Sequence, residues 1–269
     1  MNKKLLRWIK VFVLFYCVIG IAFYYLQNYF LFRPTSLPRN YQYNFSSPFA
    51  EVDIAFNKND TLNMVQFYPL NSIRKGVVIY FHGNKGNVNR YSKFAANFTR
   101  NGYEVWMPDY PGYGKTIGDL SEKIMYQQAE QVYKMALTKY KKDSIIIYGK
   151  SLGTGVAAYL ASVKDCKALI LETPYYSIPD LFNCFTFIYP TARMANYKFP
   201  TNNYLEEVKA PITIFQGNND GIIPYRCAAK LKKVLKSSDQ FITINDGSHN
   251  NLSEFPLFQQ KLDSLLKLH

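Results

Sequence analysis

The chain has 269 residues, 48% of them hydrophobic and 19% charged, with 14 glycines and 13 prolines, a balance that excludes a disordered or collagen-like protein. Its length suits one large domain or two small ones. Net charge is +13, but outside the N terminus the basic residues are scattered rather than gathered into a stripe, so no nucleic-acid partner is expected.

Residues 1–34 form a segment of their own. Lys3, Lys4, Arg7 and Lys10 come with no acidic residue among them, and Val11–Phe32 then runs 22 residues without a charge. As a helix that run is roughly 33 Å long, enough to cross a hydrocarbon core of ~30 Å. Tyr24, Tyr25, Tyr29, Phe30 and Phe32 crowd its far end, as an aromatic belt at the headgroups does. A cleaved signal peptide and a buried core helix compete with this reading. Gly20 and Ala22 have the spacing of small residues at a cleavage site, yet cleavage after Ala22 leaves Phe23–Phe32 as an exposed apolar tail. An uncleaved anchor is therefore expected, held in the bilayer through residues 11–32. Four basic residues precede the run, whereas Arg33 and Arg39 are the nearest ones after it. The positive-inside bias keeps the N terminus cytoplasmic and sends residues 35–269 to the periplasmic, extracellular or lumenal side.

Those remaining residues alternate strand and helix patterns. Glu51–Phe56 and Leu62–Tyr68 alternate apolar with polar residues around Lys58-Asn59-Asp60, which predicts an antiparallel hairpin. Short continuous apolar runs then predict buried parallel strands at Val77–Phe81, Tyr103–Met107, Ser144–Tyr148, Ala168–Leu171, Ile212–Phe215 and Phe241–Ile244. Helical spacing appears at about Tyr91–Asn101, Ser121–Tyr140, Gly155–Val163, Arg226–Leu235 and Glu254–Leu266. Strands alternating with helices predict an α/β domain, a mostly parallel sheet covered on both faces. One stretch, Tyr175–Lys209, lacks a clear strand and is dense in Tyr and Phe, which suits a lid over a site. Four cysteines with no Cys-x-x-Cys pair exclude a disulfide framework or zinc ribbon. Cys17 falls in the apolar run; Cys166, Cys184 and Cys227 are expected to be free thiols.

The chemistry-bearing motif follows Ile145-Ile146-Ile147-Tyr148. Gly149-Lys150-Ser151-Leu152-Gly153 is a G-x-S-x-G turn between a predicted strand and a predicted helix. Such a sharp reversal strains the serine backbone, leaves no room for flanking Cβ atoms, and lifts the hydroxyl to a helix N terminus. There the Leu152 N–H is placed to stabilise an oxyanion. Serine needs a base. Of three histidines, His269 ends the sequence, His82 follows a buried strand beside Gly83, and His249 sits in a loop after the last predicted strand. The order serine, acid, histidine favours His249 as base and gives His82 a structural role. For the acid, Asp220 leaves the strand Ile212–Phe215, and Glu172, closing the strand before it, is the main rival. Asp109 precedes the serine and Asp246 lies three residues from His249, so both read as structural.

By these features the sequence resembles the α/β-hydrolase fold, and within it a membrane-anchored serine hydrolase branch found in bacteria and animals. The resemblance runs over almost the whole chain. Its pieces are Leu26-Gln27 through Phe32-Arg33-Pro34, His82-Gly83-Asn84-Lys85-Gly86-Asn87, Asp109-Tyr110-Pro111-Gly112-Tyr113-Gly114, the Ser151 turn, Glu172-Thr173-Pro174-Tyr175, Gly217–Pro224 and Gly247-Ser248-His249. It implies nucleophile Ser151, acid Asp220, base His249 and backbone oxyanion donors at Asn84 and Leu152. It also implies a membrane-tethered hydrolase of acyl esters or thioesters, acting on a small or acylated substrate. Thr116, where serine is common, and Lys150, in a variable place, depart from the pattern without touching those three side chains. No metal or organic cofactor is expected, since Gly112-Tyr113-Gly114 lacks the third glycine of a dinucleotide fingerprint. The alternative is a catalytically silent, membrane-tethered binding or scaffold module on the same fold.

Overall fold

A computed structural model describes residues 2–56, 60–70 and 74–267; Met1, the predicted turn residues Lys58 and Asn59, and His269 lie outside the described residues. The apolar N-terminal run, free of proline, winds into α1 (Lys3–Leu31), started by the Asn2 side chain accepting the Lys4 N–H at 3.0 Å. Among the described residues α1 is the one helix long and apolar enough to cross a membrane. Phe32 turns extended, and Arg33–Pro34 then pairs in parallel with Lys85–Gly86, because proline cannot continue the helical ladder.

The strands are β1 (Phe49–Ala55), β2 (Thr61–Phe67), β3 (Gly76–Phe81), β4 (Tyr103–Pro108), β5 (Ile145–Lys150), β6 (Ala168–Glu172), β7 (Ile212–Gly217) and β8 (Gln240–Ile244). They form one sheet in the order β8-β7-β6-β5-β3-β4-β2-β1. The β1–β2 and β2–β4 pairs are antiparallel and the rest parallel, as the hairpin and the apolar runs predict. Between strands lie α2 (Glu122–Leu137) and α3 (Gly153–Val163), and α7 (Pro256–Lys267) ends the domain.

Continuous apolar strands follow from a sheet covered on both sides. Ile145 and Ile147 pack with Val132 of α2 and Val156 of α3, whereas Ile146 and Tyr148 meet Phe98, Phe258 and Leu262 on the other face. Each fully buried Val, Leu or Ile contributes about 1.5–3 kcal/mol through removal from water. The expected single helix at Tyr91–Asn101 is instead three short turns, Val88–Tyr91, Ser92–Phe94 and Ala96–Thr99. The aromatic stretch 175–209 forms α4 (Ile178–Phe185), α5 (Thr191–Met194) and α6 (Thr201–Glu207). The Glu122 carboxylate at the start of α2 fastens it, accepting the Lys198 N–H at 2.7 Å and the Phe199 N–H at 3.0 Å.

Candidate active site

β5 ends at Lys150 and α3 begins at Gly153, so Ser151 and Leu152 alone make the reversal. Ser151 takes φ 51°, the left-handed region, which costs a residue with a side chain of order 1–3 kcal/mol. Neighbours hold it there: its N–H donates to Glu172 O at 2.9 Å, and Thr154 Oγ1 donates to its carbonyl at 2.6 Å. A Cβ on Gly153 would stand 2.1 Å from Phe81 O, and one on Gly149 2.7 Å from Ala157 Cβ. Both flanks must be glycine for strand and helix to approach so closely.

His249 reaches the serine from the loop after β8. Its Nε2 lies 2.9 Å from Ser151 Oγ and its Nδ1 2.9 Å from Asp220 Oδ2. Asp220, in the loop after β7, is held in turn: Oδ1 accepts the N–H groups of Ile222 and Ile223, each at 2.8 Å, and Gln216 Nε2 donates to Oδ2 at 3.3 Å. Burial pushes the Asp220 carboxyl up, but the His249 hydrogen bond and charge and the two amides outweigh it and leave the carboxyl below the usual aspartate range. The anionic form therefore faces Nδ1, which favours a proton on Nδ1 and leaves Nε2 to accept from the serine hydroxyl.

The other candidates lie elsewhere. Glu172 is buried and bound to the ammonium of Lys150 and the hydroxyl of Tyr148, under the serine turn rather than beside His249. His82 is fully buried, with Nδ1 2.7 Å from Gly83 O and Nε2 3.0 Å from Asp109 Oδ1. Asp109 also accepts the Val88 N–H at 2.9 Å, so this pair braces the loop that carries Asn84. Asp246 is exposed, its N–H donating to Asn218 Oδ1 at 2.7 Å. Asn84 and Leu152 line the same cavity as Ser151, and Leu152, as N-cap of α3, has an amide outside the helical ladder.

That cavity, about 300 Å³, was not visible in the motifs. Its apolar wall comes from Phe23, Phe30 and Leu31 of α1, from Leu181 and Phe182 of α4, and from Ile222 and Ile223 beside Asp220. α1 and the 175–209 stretch are joined along their length: Tyr16 stacks on Tyr189 at 4.6 Å, Phe23 meets Phe182 at 5.0 Å, and Gln27 exchanges hydrogen bonds with Met194 O and Asn196 N. Gln27, polar within an apolar run, was the sequence signal for this docking. The cysteines require a correction. Cys184 of α4 and Cys227 are not free thiols but a disulfide across 43 residues, tying α4 to the segment after Asp220. Nothing in a linear sequence brings the two together; folding does, by seating α4 above the β7 loop. Cys166 and Cys17 are free.

An eight-stranded, mostly parallel sheet with a serine on the strand-to-helix turn is the α/β-hydrolase fold. Residues 72–204 match the family described as serine aminopeptidase, S33. The chain is 25% identical over 197 residues to alpha/beta hydrolase domain-containing protein 17C of Xenopus tropicalis, a match covering 70% of this chain and 61% of that protein. It thus spans about three fifths of the length of the curated relatives it matches. Among solved structures, a Pyrococcus furiosus esterase superposes with a TM-score of 0.70 at 17% identity, over 88% of this chain and 97% of that one. Est1E of Butyrivibrio proteoclasticus, solved with ferulic acid, superposes with a TM-score of 0.64 at 17% identity, over 77% and 94%. The family match, the relatives and the superposed structures together support the α/β-hydrolase superfamily.

Proposed function

We propose that the protein is a membrane-tethered serine hydrolase that cleaves an ester or thioester of an acylated substrate through an acyl-enzyme. The observation that carries this reading is the unbroken hydrogen-bonded line from Ser151 Oγ through His249 to Asp220, ending at an apolar cavity. His249 Nε2 takes the hydroxyl proton as Ser151 attacks the carbonyl, and Asp220 stabilises the imidazolium. The N–H groups of Asn84 and Leu152 receive the oxyanion. His249 then protonates the leaving group, and water releases the acyl chain. Residues 1–34 serve as anchor, 35–269 as catalytic domain, and 175–209 as lid. Treating the full-length protein with a serine-reactive fluorophosphonate tests the reading: adduct on Ser151 is expected, and an unreactive serine would point to a silent tethered module.

The catalytic domain is placed on the non-cytoplasmic face. The charge asymmetry about α1 supports this, and so does the Cys184–Cys227 disulfide, since such bonds persist in oxidising compartments. Protease added to intact cells or spheroplasts is expected to degrade the domain without detergent; protection until the membrane is dissolved would reverse the orientation.

The apolar cavity predicts an acyl-chain preference. Each buried methylene is worth roughly 0.8 kcal/mol, about fourfold in affinity. kcat/KM for p-nitrophenyl esters from acetyl to dodecanoyl is expected to climb by about that factor per methylene until the cavity fills. Because α1 supplies part of the wall, the series requires the full chain in detergent. A flat profile, or a preference for acetyl, would make the aromatic stretch structural packing alone.

A further inference from the structure

A second cavity of about 300 Å³ opens on the other side of Ser151 and His249, and its wall differs in kind. Four cationic side chains line it, Arg33, Lys85, Arg90 and Lys150, and no carboxylate does. Lys150 is buried against Glu172 and so is balanced in place. Arg33, Lys85 and Arg90 are exposed, and none of them forms an ion pair among the described residues. Arg33 and Lys85 are register partners in the short parallel pair, which sets two like charges side by side. Like charges so paired oppose folding. An anion bound among them would offset that cost.

The cavity's position narrows the anion. Arg33 is the first charge after the 22 uncharged residues of the anchor, which sets it at headgroup level. Tyr16, stacked on Tyr189, lies about 22 Å further down α1. The 175–209 stretch therefore descends alongside the anchor, and there it exposes Phe185, Phe187 and Ile188, Phe187 at 82%. With residues 11–32 in the bilayer, apolar surface at that depth would face acyl chains rather than water. Phe30 and Ile222 border both cavities, so one molecule that reaches Ser151 can fill the two at once.

Resting on the serine-hydrolase reading, we propose that the substrate is a single-chain phosphate-bearing lipid ester of the lysophospholipid kind. Its acyl chain lies between α1 and α4, its ester at Ser151, and its phosphate among Arg33, Lys85 and Arg90. The ester C–O bond breaks as the acyl carbon bonds to Ser151 Oγ, and the proton taken by His249 passes to the departing glycerol oxygen. Water then gives OH to the acyl carbon and H to Oγ, releasing a fatty acid and glycerophosphate.

The test uses the full chain in detergent micelles and measures fatty acid released from lysophosphatidate and from monoacylglycerol of the same chain length. Fluorophosphonate labelling and p-nitrophenyl octanoate hydrolysis run alongside to report the underlying activity. Lysophosphatidate is expected to be favoured at least about tenfold in kcat/KM, the size of a charge-assisted contact. That preference is expected to shrink as salt rises and to fall toward one in R33Q/K85Q/R90Q. Should the triple variant fail to label, the three single variants are compared instead, each expected to lower the ratio. Equal rates on both lipids by an enzyme active on the octanoate would overturn the lipid assignment and leave the hydrolase reading standing. A ratio indifferent to the substitutions, or a soluble acyl-coenzyme A preferred to lysophosphatidate, would overturn it as well. Loss of wild-type labelling and octanoate hydrolysis together would remove the hydrolase reading on which it rests.

Discussion

Ser151→Ala is expected to abolish esterase activity and fluorophosphonate labelling together, with a loss on the order of 10⁶ in kcat if serine, histidine and aspartate act as a unit. The substitution deletes the hydroxyl oxygen that lies 2.9 Å from His249 Nε2. It leaves the fold intact, because the turn is held by the Ser151 backbone, not by its hydroxyl. Alanine keeps the strained φ of 51°, so the thermal midpoint is expected to move little while activity disappears. His249→Ala is expected to match it in kcat. Labelling that survives in the Ser151 variant would place the nucleophile elsewhere.

Asp220→Asn is expected to cost about 10⁴ in kcat. An amide in place of Oδ2 turns an N–H toward Nδ1 or withdraws the charge, and either change favours the tautomer that cannot accept the serine proton. Glu172→Gln is the discriminating comparison. It strips the partner from the buried ammonium of Lys150, and breaking a buried pair costs about 3–5 kcal/mol of stability. It does not touch His249. Melting temperature should therefore fall in the Glu172 variant and kcat of the folded fraction in the Asp220 variant. The reverse pattern would make Glu172 the acid.

Much of this fold is legible in linear order, because its elements are specified by their neighbours in the chain. The unbroken apolar runs at Val77–Phe81 and Ile145–Tyr148 mark strands covered on both faces. The two-residue alternation of Glu51–Phe56 marks an edge strand with one wet face. Helix positions were less legible wherever packing overrode local pattern. Residues 88–99 break into three short turns around Tyr91 and Phe98, where the chain must bend to bury both rings against His82 and Tyr148.

Positions of chemistry-bearing residues at strand ends were readable for the same reason: a G-x-S-x-G turn, a loop after β7 and a loop after β8 all open on one edge of a parallel sheet. The serine turn is a local steric matter, since strand and helix leave no space for Cβ atoms at Gly149 and Gly153. So is the long apolar helix α1, whose length and lack of charge from Val11 on depend on no distant partner. Which of Asp220 and Glu172 meets His249, by contrast, depends on tertiary structure alone. Both carboxylates end strands on the same edge, and their surroundings separate them: two amides and an imidazole at one, an ammonium and a phenol at the other. The Cys184–Cys227 bond, the apolar cavity walled by α1 and α4, and the cationic cavity joining Arg33 to Lys85 and Arg90 arise in the same way. Each depends on contacts between segments dozens of residues apart, which chain-local periodicity and spacing do not encode.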